Sequence, residues 1–227
     1  MTYSALFRVW STVLAAVLAA TLLSLTAFTT EARAQQPPCS GKVVLDAGHG
    51  GTDSGAVNTK YGLAEKEQTL NVANRLRSLL TADGCTVYMT RTSNSQTLSN
   101  NARYTYANTT GADVLVSIHM NGSTNGSTDY TTTLFGKWRK DKELANTIFG
   151  SLSTLPAASG TGPIGTRTPY SFASGVLLKS NMPATIAETV FITSDREGQL
   201  LSNGTGARQQ QIAQALRVGI EDYLATH

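Results

Sequence analysis

Short apolar runs alternate along the chain with longer segments in which apolar residues recur every three or four positions. The runs predict strands over 42–46, 86–90, 114–118 and 184–192, with a threonine-rich extended segment over 129–135. The helical repeats predict helices over 65–84, 99–108 and 141–155, and a last helix with Ile212, Leu216, Ile220 and Tyr223 on one face. This alternation predicts an α/β fold: a single domain with a mainly parallel twisted sheet and helices on both faces.

The N-terminal segment has a different composition from the rest of the chain. An apolar run from Trp10 to Phe28 follows Arg8, and Ala32-Arg33-Ala34 supplies the small residues of a signal-peptidase site. A retained anchor is the alternative, because the run is long enough to span a bilayer. We expect a signal peptide over 1–34, a short segment over 35–41, and a folded domain over 42–227 that is exported to the periplasm, the cell wall or the medium.

The charge balance excludes some classes of partner. The 227-residue chain carries a net charge of +3, which falls to +2 without the first 34 residues, because these hold two of its 18 basic residues and one of its 15 acidic residues. A nearly neutral chain without a basic run is not typical of nucleic-acid-binding proteins. We expect the mature chain to be a monomer with no nucleic-acid and no membrane partner.

The two cysteines suggest a disulfide. Cys39 and Cys85 each lie just before a predicted strand, and an oxidising compartment favours a bond between them. The alternative is a pair of buried thiols. Their spacing excludes a CxxC redox motif and a zinc ribbon.

Four residues that bear chemistry fall at one predicted edge of the sheet. His49 and His119 follow the first and third strands, Glu188 lies late in the 184–192 strand, and Glu65 opens the helix that returns from the first strand. Two imidazoles and one carboxylate form a usual ligand set for catalytic zinc, with a second carboxylate as the acid–base group. The alternative is that the histidines are ordinary loop residues and the glutamates are solvated.

Four segments resemble the signature segments of the zinc-dependent N-acetylmuramoyl-L-alanine amidases of the amidase-3 type. They occur in order as VVLDAGHGGTDSGA (43–56), Glu65-Lys66 followed by Leu70, VSIHMN (116–121) and PATIAETVFITS (183–194). Thr90-Arg91 and the segment 103–108 match weaker parts of the same pattern. The resemblance covers the chain from Lys42 almost to its end.

The resemblance implies a role for each strand-end residue. The zinc ligands fall on His49, Glu65 and His119, and the catalytic glutamate falls on Glu188. Glu67 is a nearby alternative to Glu65, but the Glu-Lys pair of the family selects Glu65. Asp46 and Asp53 are interpreted as groups that support the ligands or cap the loop, with capping favoured for Asp53.

The implied reaction is hydrolysis of the amide between N-acetylmuramic acid and L-alanine in peptidoglycan. The partners would be peptidoglycan or muropeptide fragments, with the loops near Asn121 and over 159–170 as walls of a groove. Lys179 is either a contact for a stem-peptide carboxylate or an ordinary solvated lysine, and the second interpretation is favoured. Two alternatives stay open at this point. One is a zinc peptidase that cuts within the stem peptide, and the other is a wall-binding protein without turnover.

Overall fold

The computed structural model describes residues 39–227, so the predicted signal peptide lies outside the described residues. The strands are β1 (Lys42–Ala47), β2 (Val57–Asn58), β3 (Leu63–Ala64), β4 (Thr86–Met89), β5 (Val114–Asn121), β6 (Thr132–Phe135), β7 (Tyr170–Ser171) and β8 (Ala184–Phe191). The helices are α1 (Glu65–Ala82), α2 (Asn100–Thr109), α3 (Trp138–Leu152), α4 (Gly175–Lys179), α5 (Asp195–Ser202) and α6 (Ala207–Leu224). None of these described helices is both long enough and apolar enough to cross a membrane.

Six strands form the central sheet in the order β4-β1-β5-β8-β6-β7. β1 pairs in parallel with β4 and β5, and β5 pairs in parallel with β8. β6 runs antiparallel to β8, and β7 runs parallel to β6, so the expected mainly parallel sheet is confirmed, with β6 and β7 reversed. Because β1, β5 and β8 share a direction, their carboxyl ends meet at one edge, where open α/β sheets place their ligand sites.

The sheet is buried on both faces, as expected. Val43, Leu45 and Val116 lie in the larger apolar cluster together with the inner faces of α1, α3 and α6. Val44 and Leu115 point the other way and contact the cluster that includes α2 and α4 residues. Near-continuous apolar runs in β1 and β5 are what a parallel strand covered on both faces requires.

The helix boundaries follow their caps. The Ser99 hydroxyl accepts a hydrogen bond from the Ala102 N–H, which confirms Ser99 as the N-cap of α2. α3 begins at Trp138 instead of Asp141, because the buried Asp141 carboxylate reaches back to accept hydrogen bonds from the Gly136 and Lys137 N–H groups. α3 ends at Leu152, three residues before the expected end.

A disulfide joins the N-terminal end of the described chain to the sheet. Cys39 and Cys85 are bonded, with their Cα atoms 4.8 Å apart and a sequence separation of 46. Both precede adjacent strands, β1 and β4, which run side by side in parallel. Neighbouring parallel strands start at the same edge, and this places the two sulfurs together.

Candidate active site

The carboxyl ends of the parallel strands bring the predicted site residues together. His49 follows β1, His119 lies near the end of β5, and Glu65 is the first residue of α1. His119 and Glu188 occupy the same register position on the neighbouring strands β5 and β8. The four residues that sequence reasoning selected for chemistry therefore surround one point above the sheet.

Glu65 lies between the two histidines. Its Oε2 is 3.1 Å from His49 Nε2, and its Oε1 is 3.0 Å from His119 Nδ1. One ligand atom from each of the three residues lies within 4.8 Å of the others. The glutamate itself is only 3 % exposed, and its oxygens also accept hydrogen bonds from the Ala56 and Met120 N–H groups. The carboxylate is thus fixed by the backbone before any ion binds.

These contacts shift the pKa values of the cluster. Burial alone would lower the pKa of His49, but the carboxylates of Glu65 and Asp53 outweigh it and raise the value to about 9. Burial would raise the pKa of Glu65, but hydrogen bonds and charge from His119 and His49 hold it well below its ordinary value. A cation is therefore favoured among these groups, either a proton on an imidazole or a metal ion in its place.

His49 lies on a tight turn that requires glycine at nearby positions. Alone among the non-glycine residues that the structure describes, it has a positive φ, of 60°. A Cβ at Gly48 would lie 2.4 Å from the His119 ring, and a Cβ at Gly55 would lie 2.5 Å from Glu65 Oε2. Glycine at these two positions allows the ligands to approach each other closely.

Two buried arginines hold the carbonyls of this turn. Arg91 Nε donates to the Ala47 carbonyl at 2.8 Å, and its Nη2 donates to the Gly48 carbonyl at 2.9 Å. Arg103 donates to the Ala47 and His49 carbonyls at 2.9 and 2.8 Å. The strained conformation of His49 is thus fixed from behind by charged donors, as strained functional residues require.

Asp46 compensates the charge of Arg103. Its Oδ1 accepts from Arg103 Nη1 at 2.7 Å and from the Thr90 hydroxyl at 2.6 Å, and its Oδ2 accepts from the Ser117 hydroxyl at 2.6 Å. Burial alone would raise the pKa of Asp46, but Arg103 and these hydrogen bonds hold it below its ordinary value. Asp46 supports the ligand turn through Arg103.

Asp53 serves both of the roles considered for it. Its Oδ1 accepts from the Gly55 N–H and so caps the loop. Its Oδ2 lies 2.9 Å from His49 Nδ1. A carboxylate on one ring nitrogen of a ligating histidine fixes the tautomer and directs the other nitrogen towards the metal. Here the nitrogen left free for an ion is Nε2.

Glu188 faces the same point without a partner of its own. It lines a cleft of about 420 Å³ that also contains His49, His119, Tyr170 and Phe172. No hydrogen bond or ion pair of its carboxylate occurs within residues 39–227. Burial raises the pKa of Glu188. A carboxyl group placed in this way can serve as a general acid–base group.

The two expected substrate contacts, Asn121 and Lys179, do not line this cleft. Asn121 is half-buried at the end of β5, where its side chain accepts from the Gly122 N–H, and it does not line the cleft. Lys179 is exposed at the end of α4, ahead of β8 and away from the carboxyl edge. Within the segment 159–170, Tyr170 reaches the cleft wall.

No role was assigned to Arg91 or Arg103 from the sequence alone. Their match to the weaker parts of the family pattern was the one signal in the sequence that could have identified them.

Comparison with known proteins identifies the family to which this architecture belongs. The family model described as N-acetylmuramoyl-L-alanine amidase, of the amidase-3 type, matches residues 43–222. The chain belongs to the amidase-3 family. The match contains the whole carboxyl edge of the sheet, with His49, Glu65, His119 and Glu188.

Named relatives of the amidase-3 family show the same match. The N-acetylmuramoyl-L-alanine amidase LytC of Bacillus subtilis is 33% identical over 193 residues, which cover 83% of this chain and 36% of LytC. AmiC of Escherichia coli is 30% identical over 85% of this chain and 57% of its own length. The chain thus spans only a part of these two longer amidases. The crystal structure of an N-acetylmuramoyl-L-alanine amidase from Clostridium difficile 630 has a TM-score of 0.73 and 31% identity, and the match covers 82% of this chain and 98% of that one.

The residues present fit a zinc ion. Nitrogen, nitrogen and oxygen donors are the set of a catalytic zinc site, and zinc lies roughly 2.0–2.2 Å from such atoms, which puts tetrahedral donors about 3.3–3.6 Å apart. The contacts of Glu65 with His49 and His119, 3.1 and 3.0 Å long, are slightly shorter than this separation, and the three donor atoms all lie within 4.8 Å of one another. Three protein ligands leave a position open for water or substrate.

Proposed function

We propose that this chain is a zinc-dependent N-acetylmuramoyl-L-alanine amidase that cleaves the bond between N-acetylmuramic acid and L-alanine of the peptidoglycan stem peptide. One observation carries the proposal. A cluster of two histidines and a glutamate, able to hold a metal, lies beside Glu188, whose carboxyl group has no partner among residues 39–227, and the two histidines line the same cleft as Glu188. The amidase-3 membership supports the choice of bond.

His49, Glu65 and His119 would hold the zinc ion. When bound, zinc acts as a Lewis acid that polarises the scissile carbonyl and lowers the pKa of water to about 7. Asp53 keeps the His49 ring in the tautomer that offers Nε2. Arg91 and Arg103 keep the turn that carries this ring in place.

Glu188 would be the acid–base residue. Its carboxylate accepts a proton from the attacking water and then donates that proton to the departing amine of L-alanine, as general acid–base catalysis requires. The raised pKa of Glu188 suits the second half of this transfer, because a more basic carboxylate holds the proton until the amine leaves.

The cleft would hold the glycan and the peptide on either side of the scissile bond. Tyr170 and the exposed Phe172 form one wall, and Asn100 lies on the rim near the start of α2. Asn121 and Lys179 are proposed only as peripheral substrate contacts, since neither lines the cleft. We propose that the chain acts as an exported monomer, with residues 1–34 as a signal peptide, 35–41 as a short segment and 42–227 as the catalytic domain.

Digestion of purified peptidoglycan tests the proposal and separates it from its alternatives. The protein is incubated with the polymer, and the released fragments are identified by mass. Free stem peptides that begin with L-alanine are the expected products. Shortened stems still attached to glycan would instead mean a peptidase, and no release would mean a binding protein. Chelator treatment should stop release, and added zinc should restore it.

A further inference from the structure

Five threonines in and beside β6 and β8 are fully buried, and one of them is unlike the rest. Their hydroxyls belong to Thr131, Thr132, Thr133, Thr185 and Thr189. Four of them donate to backbone carbonyls: Thr131 to Glu188, Thr133 to Ala145, Thr185 to Leu134 and Thr189 to His119. The hydroxyl of Thr132 has no hydrogen-bond partner in the part of the chain that the structure describes.

Folding alone does not account for this hydroxyl. A buried polar group without a partner destabilises the native state, whereas an apolar group of the same shape at that position would not. Valine has the shape of threonine and the same preference for strands. Thr132 therefore retains a group that weakens the fold, at a position where a better residue for stability exists.

The position of Thr132 in the sheet places its hydroxyl near Glu188. Thr132 lies directly opposite Glu188 in the antiparallel β6–β8 pair, and His119 lies opposite Glu188 on the other side, in β5. Directly opposed residues share a face, with Cβ atoms roughly 4.5–5.5 Å apart. The next opposed pair on this face is Leu134 and Ile186, two residues further along each strand. Both of these residues line the cleft. One row across the sheet thus contains a metal ligand, the partnerless carboxyl group and the partnerless hydroxyl.

We propose that Thr132 is a positioning residue for Glu188. When Glu188 is ionised, the Thr132 hydroxyl donates a hydrogen bond to its carboxylate, after a rotation about the Glu188 side-chain bonds. This bond holds the carboxylate in the orientation from which it accepts the proton of the attacking water. The inference rests on the proposed role of Glu188 and goes beyond it, because it assigns a second side chain to the same proton transfer.

The test compares stability and turnover in the same variants. Thr132→Val keeps the shape and removes the hydroxyl, so its unfolding midpoint should rise. Its kcat on peptidoglycan should nevertheless fall by roughly tenfold, which is less than the ~10²–10⁴-fold contribution of a whole acid–base group. KM and zinc content should stay at the wild-type values, since no ligand and no cleft wall changes. Thr132→Ser keeps the hydroxyl and should retain most of kcat.

Thr133→Val is the matched control. Its hydroxyl is equally buried but donates to the Ala145 carbonyl on the opposite face, so this variant should lower the unfolding midpoint and leave kcat unchanged. Wild-type kcat in Thr132→Val would overturn the inference, and so would a loss of zinc or a fall in both stability and kcat. If the wild-type protein releases no stem peptides, the proposed function fails first, and this is seen without any variant.

Discussion

The buried pair of Asp46 and Arg103 supports the ligand turn, and its removal gives a prediction that can be worked out in advance. The side chains are 1 and 6 % exposed, and the pair is 2.7 Å long. Asp46→Asn keeps the size of the side chain but leaves the Arg103 guanidinium without its counter-charge. Removing one partner of a buried ion pair lowers the free energy of unfolding by about 3–5 kcal/mol, because the remaining charge is buried without compensation.

The double variant distinguishes a charge effect from a packing effect. Arg103→Met removes the other charge and also the donors to the Ala47 and His49 carbonyls. In Asp46→Asn/Arg103→Met neither charge is stranded, so we expect its cost to be about 2 kcal/mol smaller than the summed costs of the single variants. Asp113→Asn is the control. Asp113 is exposed and accepts from the Lys42 N–H, so its loss should cost about 1 kcal/mol or less.

Urea unfolding at several pH values measures these quantities. The pKa of Asp46 is held below its ordinary value of 3.8, so the carboxylate stabilises the folded state above that pH and loses this contribution as the pH falls through the folded-state value. The gap between wild type and Asp46→Asn should therefore be constant above about pH 5 and shrink below about pH 4. Additive single variants, or a gap that widens in acid, would refute the reasoning.

Three further predictions concern the ligands, a glycine and the disulfide. His49→Ala and His119→Ala should each lose bound zinc, and metal analysis that finds full zinc in either would remove that residue from the site. Gly55→Ala should also lose zinc at unchanged secondary structure by circular dichroism, because its Cβ would lie 2.5 Å from Glu65 Oε2; Gly111→Ala, also at positive φ but with open space around it, should keep its zinc. Cys39→Ser/Cys85→Ser should lose about 4 kcal/mol of unfolding free energy, the loop-closure value for 46 residues. An unchanged urea midpoint in that double variant would mean that the bond does not form in solution.

The sequence carried enough information for the framework of the fold. The apolar runs in β1 and β5 are nearly continuous because these strands are covered on both faces, and such runs are easy to recognise. α5 (Asp195–Ser202) was not predicted, because eight residues are too few for an apolar stripe to stand out. The reversed direction of β6 was not predictable either, since pairing direction depends on how the chain returns across the sheet.

The candidate site likewise contains residues that the sequence predicts and contacts that only the fold shows. Its four central residues stand at strand ends or a helix start, where topology alone brings them together. Arg103 acts on His49 across 54 residues, and Thr132 opposes Glu188 across 56, so only the folded register shows either contact. Lys179 was expected near the substrate on its chemistry alone, and its place ahead of β8 puts it away from the carboxyl edge.

The most direct test of the account measures zinc and turnover together in Glu188→Gln. The amide keeps the size of the side chain and cannot accept a proton at neutral pH. If His49, Glu65 and His119 hold the metal and Glu188 only transfers the proton, the variant should keep the wild-type zinc content and fold. Its rate of stem-peptide release should fall by at least ~10²-fold. Full zinc with a near-wild-type rate would place the acid–base group elsewhere, and lost zinc would make Glu188 a ligand.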